Sequence, residues 1–419
     1  MTQATGETMR TVVSRGQEDI SFAQNERREF SVRERFPWHR VLAAFAVVAV
    51  VLSVVVTLAS RTVTRGDTVL QGPAWLDAWF QYDSGWYYGI AADGYSYVPG
   101  QQSSIAFFPT YPMVVRAVGW LVGDFQVAGT LVALAAGAGV AVVFGLWSWR
   151  TLPRRAALGA TALLMLYPYA VFLYGAMYAD SIFLLATIGA FLLLERRMYW
   201  LAGLVGALAT AGRPVGIAVI LGLAVRTLEL LAADRVGERV RVRDLLRALT
   251  AVRWRQAGVL LSGAGLLGWC LYLWAAFGNP LAFIAVESAP GWDQGVGPHT
   301  WFKVSYVEEM LHGPLAHGRM LTLQAVGCLV AVLLLRRVWR LFGWGYFVYA
   351  AVVVAIPILG TDDFMGTGRY VLVAFPVVAA AGELLATRPR RWVLPLALAS
   401  SALLLLLITV LYGRGIEVS

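Results

Sequence analysis

The sequence predicts an all-α polytopic membrane protein with about eleven transmembrane helices, and three observations predict it. Of 419 residues, 59% are hydrophobic and only 14% charged, where soluble domains run at about 25% charged and 45–50% apolar. Apolar runs of about 20 residues, the length that crosses a hydrocarbon core of roughly 30 Å, recur along the whole chain. The basic residues, all arginine except Lys303, fall between those runs. A formal charge of +9 in a soluble protein would suggest nucleic acid; here it reads as the orienting charge of cytoplasmic loops.

Residues 1–40 are polar and mixed in charge, with seven arginines (10, 15, 27, 28, 33, 35, 40) and no hydrophobic period. They read as a disordered cytoplasmic tail, and their length argues against a secretory signal peptide. Residues 41–60 form the first span. The next apolar block, 105–123, contains Pro109, Pro112 and Arg116. If it crossed, the clusters Arg150/Arg154/Arg155 and Arg196/Arg197 would fall on the side opposite the tail, against the positive-inside pattern. An interfacial helix along the outer leaflet fits better.

The remaining spans are then expected at 126–148, 157–175, 181–194, 200–212, 214–231, 257–277, 320–335, 341–360, 370–386 and 393–412. Of 34 Lys and Arg, 26 lie on the cytoplasmic side in this reading and eight (61, 65, 116, 213, 303, 319, 369, 414) are external or interfacial. That split predicts the N-terminus inside and the active face outside. The organisation expected is a tail (1–40), a transmembrane domain (41–412) with large external loops at 61–125 and 278–319, and a short external tail (413–419).

The stretch 75–112 concentrates aromatics and carboxylates directly after the first span. Asp83 stands among Tyr82, Trp86, Tyr87 and Tyr88. Partial desolvation raises a carboxylate's basicity, so Asp83 is the candidate general base for an acceptor hydroxyl; the bland reading is a helix cap in Asp-Ser-Gly. Asp180 sits in a short turn between two spans and is a candidate to hold sugar or acceptor, or a helix cap. Arg213, in the break Gly212-Arg213-Pro214, and Arg369 are external arginines at span ends. Guanidinium binds phosphate oxygens in a bidentate fork; the bland alternative is snorkelling to headgroups. Trp86, Tyr87, Tyr111 and Trp292 are the aromatic candidates for substrate binding, with Trp301 a further stacking surface in loop 278–319.

That loop also holds Glu287, Asp293, His299, Glu308, Glu309, His312 and His317, but the histidines lack tight ligand spacing and no cysteine joins them, so no metal site is expected. Cys270 and Cys328 lie inside apolar runs and support neither disulfide nor metal framework. The chain has no Gly-rich phosphate loop, GxSxG elbow or HExxH, which argues against ATP-driven and serine-hydrolase chemistry.

Gln81-Tyr82-Asp83-Ser84-Gly85-Trp86-Tyr87-Tyr88-Gly89-Ile90-Ala91, Gly94-Tyr95 and Ala106-Phe107-Phe108-Pro109-Thr110-Tyr111-Pro112 resemble the first external loop of PIG-V-type mannosyltransferases, members of the GT-C membrane glycosyltransferases. Tyr178-Ala179-Asp180-Ser181, Gly212-Arg213-Pro214-Val215-Gly216, Phe277-Gly278-Asn279-Pro280-Leu281-Ala282-Phe283 and Gly368-Arg369-Tyr370 with Phe375-Pro376 look like later landmarks of that family, in order. The resemblance spans roughly residues 40–385. It implies a GT-C-like fold and an inverting transfer of a sugar, usually mannose, from a polyprenyl-phosphate donor on the non-cytoplasmic face. Asp83 falls at the family's catalytic base. Gln81-Tyr82 stand where Arg-Trp is common, and Asp180 where Glu is frequent.

The resemblance implies a polyprenyl-phosphate-sugar donor, a glycolipid or glycan acceptor, membrane lipids as surroundings and no nucleic acid. No cofactor is predicted, with divalent-cation dependence left open. The alternative function class is a polytopic lipid or polyprenyl-phosphate transporter or flippase, which should show internal repeats and polar residues near the bilayer midplane. The polar residues here gather in the external loops instead.

Overall fold

The chain is described here from a computed structural model, which covers residues 35–63, 72–236, 240–292 and 294–418. Most of the polar tail expected over 1–40 therefore lies outside the described residues, as do Arg65 and Asp293. Helices dominate the described residues and no strand occurs among them.

Among the described residues six helices are long and apolar enough to cross a membrane: Trp38–Ser60, Phe125–Thr151, Pro214–Val236, Trp254–Phe277, Leu315–Phe342 and Val393–Gly413. The bent pair Thr367–Val373 and Phe375–Ala386, whose halves meet at 77°, adds a seventh when counted as one span. This is a multi-pass membrane protein. The first span shows why the sequence folds this way. Val41, Phe45, Ala49, Leu52, Val56 and Ala59 recur at helical spacing and are buried, while Val47, Val50, Val54 and Leu58 on the other side are exposed. A helix apolar all round is stable only with protein on one face and lipid on the other.

Every expected span coincides with helical structure, but not every one is a full-length helix. Asp180–Glu195 has 16 residues, Tyr199–Thr210 has 12 and Trp344–Gly360 has 17. The expected span 157–175 differs most. Its helix, Arg154–Met165, stops after 12 residues. Pro168 cannot continue a helix, and the chain proceeds through a 3₁₀ turn, Ala170–Leu173. Tyr169 to Tyr174 and Ala176 to Ala179 are all buried. Irregular backbone at membrane depth is tolerated where protein surrounds it. Gly137 makes room for it: a Cβ there would stand 2.0 Å from the Leu173 carbonyl oxygen.

The block 105–123 yields a 13-residue helix, Thr110–Val122, too short to span. It buries Tyr111, Pro112, Val115 and Gly119 and exposes Trp120 and Leu121. Gly123 in the left-handed region closes it, and the Asp124 side chain accepts from Val127 N at 2.8 Å to start Phe125–Thr151. Arg116 has a structural task. Its Nε and Nη2 donate to the carbonyls of Ala91 (2.7 Å) and Ile90 (2.9 Å), satisfying the open C-terminal end of the short helix Ser84–Ala92. Thr110 donates through N to Ala211 O (3.0 Å) and through Oγ1 to Leu208 O (2.8 Å). The loop 75–112 is thereby fastened beside Gly212 and Arg213.

Candidate active site

Asp83 occupies the N-cap position of Ser84–Ala92, yet its side chain makes no capping bond. The preceding residue, Tyr82, is held at φ 49°, a conformation rare for a non-glycine residue. The Asp83 amide donates to the Tyr178 hydroxyl at 3.2 Å, and the carboxylate, 30% exposed, meets Arg369 Nη1 at 3.3 Å through Oδ2. Burial pushes the Asp83 carboxyl above its ordinary range, against the downward pull of Arg369.

Arg369 reaches this point from the first half of the bent helix pair. Its guanidinium lies over the adjoining rings of Phe172 (5.1 Å) and Tyr178 (4.9 Å), both supplied by the buried irregular segment. Stacking on aromatic faces suits the flat guanidinium. Gly368 permits the approach, since a Cβ there would be 2.4 Å from the Tyr169 ring. Asp180, fully buried at the start of Asp180–Glu195, links the two arginines: it pairs with Arg213 Nη1 through Oδ1 and lies 3.8 Å from Arg369 Nη1 through Oδ2. Arg213 extends from the break before Pro214 with its guanidinium 4.9 Å from the Tyr370 ring. Arg369 Nε is buried without a hydrogen-bond partner among the described residues, which leaves one donor unspent.

Asp83, Arg213 and Arg369 line a cleft of about 910 Å³, open mouth included, with Tyr87, Phe107 and Trp292 on its aromatic side. Trp86 stacks on Phe107 (5.7 Å, 17°) and meets Trp292 edge-on (5.8 Å), so it braces the wall from behind. Tyr111 is corrected: it is wholly buried, donates to Gly129 O at 2.8 Å and abuts Tyr87 edge-on at 5.1 Å. It supports the wall and is not a cleft residue. Trp301 is half exposed and does not line the cleft either. Among the described residues no group of His, Cys, Asp or Glu has the arrangement of a metal site.

Two further residues line the cleft. Glu287, named in the sequence only as one of the polar residues of loop 278–319, ends a short helix, Ala282–Glu287; burial, then the Asp83 charge, pushes its carboxyl up to about 7. Glu417 arrives from beyond the last span and is likewise raised, by burial and by Asp83. Nothing in a one-letter string announces that a tail folds back.

No protein-family model matches this sequence, and neither does any curated protein. Solved structures do. The apo oligosaccharyltransferase of Archaeoglobus fulgidus aligns over 92% of this chain and 57% of its own, with TM-score 0.50 and 14% identity. ArnT from Cupriavidus metallidurans bound to undecaprenyl phosphate aligns over 92% of this chain and 77% of its own, with TM-score 0.46 and 14% identity. The first likeness, with the all-helical architecture, gives this chain a GT-C-like fold. The chain spans little more than half the length of that oligosaccharyltransferase.

Proposed function

We propose that the protein is an inverting membrane glycosyltransferase that moves mannose from polyprenyl-phosphate mannose to a lipid-linked or cell-envelope acceptor on the non-cytoplasmic face of the cell membrane. The observation that carries this reading is the convergence of a partly desolvated carboxylate, Asp83, with two arginines in one cleft of a GT-C-like fold. The resemblance of loop 75–112 to PIG-V-type enzymes supports the choice of sugar and carrier.

The chemistry follows from these groups. The acceptor hydroxyl oxygen attacks the anomeric carbon on the face opposite the phosphate, and its proton passes to Asp83. The bond from the anomeric carbon to the phosphate oxygen breaks, inverting the centre. The carrier leaves as a phosphate monoester with one more negative charge than it had as a diester. A phosphate monoester departs without a general acid, so a second carboxylate of the glycosidase type is unnecessary. Arg369 and Arg213 take up the added charge. Asp180 holds both guanidiniums in place before the donor arrives.

The test uses purified protein in nanodiscs with radiolabelled polyprenyl-phosphate mannose and a lipid extract. Wild type should yield labelled product, and Asp83→Asn about 10²–10⁴-fold less with unchanged insertion and donor binding. Full turnover by Asp83→Asn would overturn the base assignment. Donor binding with no product from any extract would point to a scaffold or a flippase.

A further inference from the structure

The cleft is chemically divided. On one side stand Arg213 and Arg369, already engaged by Asp180 and Asp83. On the other stand Phe107 and Trp292, with Glu287 and Gln294 beside them; Trp292 N donates to Ala289 O and Gln294 N to Glu287 O, fixing the short turn that carries all three side chains. Glu417 lines the cleft as well, and the titratable groups near it are Asp83, Asp363, His317 and Arg369.

The segment that carries Glu417 is tied down on both sides, while the Glu417 side chain itself stays exposed. Tyr412, at the end of Val393–Gly413, donates to Trp79 O at 2.7 Å. Ile416 N donates to Leu411 O at 3.0 Å. Val418 is fully buried, and its carbonyl accepts from Gln324 Nε2 at 3.3 Å. The same Gln324 accepts from Gly368 N through Oε1 at 3.1 Å, so the tail is tied to the peptide next to Arg369.

We infer that Glu417, carried by this tail, and Glu287 beside Phe107 and Trp292 form the acceptor subsite of the cleft, and that this subsite takes an uncharged, hydroxyl-bearing sugar and turns away a phosphorylated one. The inference rests on the transferase reading of the same cleft. Carboxylates accept hydrogen bonds from hydroxyl pairs, and the Gln294 amide offers both donor and acceptor. Indole and phenyl faces pack on the apolar face of a sugar ring. Above about pH 7, where Glu287 is ionised, a phosphorylated acceptor would meet two carboxylates and find no spare cation, because Arg213 and Arg369 are the cations lining the cleft among the described residues and the donor phosphate needs both. Such like-charge placement is how a site discriminates against a close analogue.

Binding, not turnover, tests this directly. Octyl α-mannoside and its 6-phosphate are titrated by calorimetry at pH 8 against the full chain in nanodiscs saturated with undecaprenyl phosphate, for wild type, Glu287→Gln, Glu417→Gln and the double variant, with undecaprenyl phosphate itself titrated separately. Wild type should bind the neutral glycoside at least about tenfold more tightly than the phosphorylated one. Each single variant should narrow that ratio and the double variant abolish it, with undecaprenyl phosphate binding kept throughout. Glu417→Arg, which needs no isosteric fit, should reverse the preference. Equal or tighter binding of the phosphorylated probe by wild type overturns the inference, as does a ratio unmoved in the double variant. Undecaprenyl phosphate binding with no binding of either glycoside overturns the subsite but leaves the transferase reading standing. Loss of all three ligands from wild type removes that reading and the subsite with it.

Discussion

Asp83 differs from an ordinary surface aspartate in two ways: its side chain is withdrawn from the helix it precedes, and its amide is anchored on Tyr178. Its carboxyl is raised above the ordinary 3.8 by burial, and a base works in its ionised form. Transfer should therefore rise with pH through a value above that figure, and the residual activity of Asp83→Asn should lack that limb. Arg369→Lys keeps the charge but loses the flat fork that lies over Phe172 and Tyr178. We expect a fall of about 10²–10³-fold in kcat, with less change in donor KM, measured by steady-state transfer. Glu287 gives a stability prediction. Folding lifts its carboxyl from 4.5 to about 7, so between those values the folded protein keeps a proton that the unfolded chain has lost. Its contribution is fullest below the ordinary value and is lost as pH rises through about 7. Thermal unfolding of Glu287→Gln should show a flatter loss of stability than wild type between about pH 5 and 8.

At the scale of elements, the short helix Ser84–Ala92 depends on Arg116, which the sequence offers only as one more basic residue near an interface. Two hydrogen bonds from a charged donor are worth about 1.5–3 kcal/mol each. Arg116→Met should lower apparent stability by at least about 3 kcal/mol in detergent unfolding and cut transfer, because the helix that Asp83 precedes loses its far anchor. Hydropathy located each apolar segment because lipid exposure demands apolar side chains wherever the backbone is helical. It failed at 157–175 because a buried irregular segment has the same composition as a span. Only Pro168 hints at the break, and Pro is common in membrane helices. The site was legible as separate residues, since charged groups at span ends in a membrane protein are few. That Asp83 meets Arg369 across 286 positions, and that Asp180 bridges both arginines, depends on packing that no local pattern encodes. Tyr111 misled because its neighbours are cleft residues while its own ring points into the core.

For the molecule as a whole, the distribution of arginine and the cleft's position make one connected prediction. In the orientation proposed for transfer, Ser288 in loop 278–319 and the cleft should face outward, and Arg391, between the last two helical segments, should face the cytoplasm. In a background lacking Cys270 and Cys328, a cysteine at position 288 should react with a membrane-impermeant maleimide in intact cells, and one at 391 only after permeabilisation. The opposite pattern would move the proposed transfer to the cytoplasmic side.

The quartet Asp83, Asp180, Arg213 and Arg369 has a consequence for how this sequence can drift. Within it Asp180 and Arg213 share so little water that removing one strands the other as a buried, uncompensated charge, at about 3–5 kcal/mol. The pair Asp180–Arg213, the most enclosed of the set, is therefore expected to change jointly or not at all. Divergent relatives of this chain should show these two positions, 33 residues apart, varying as one.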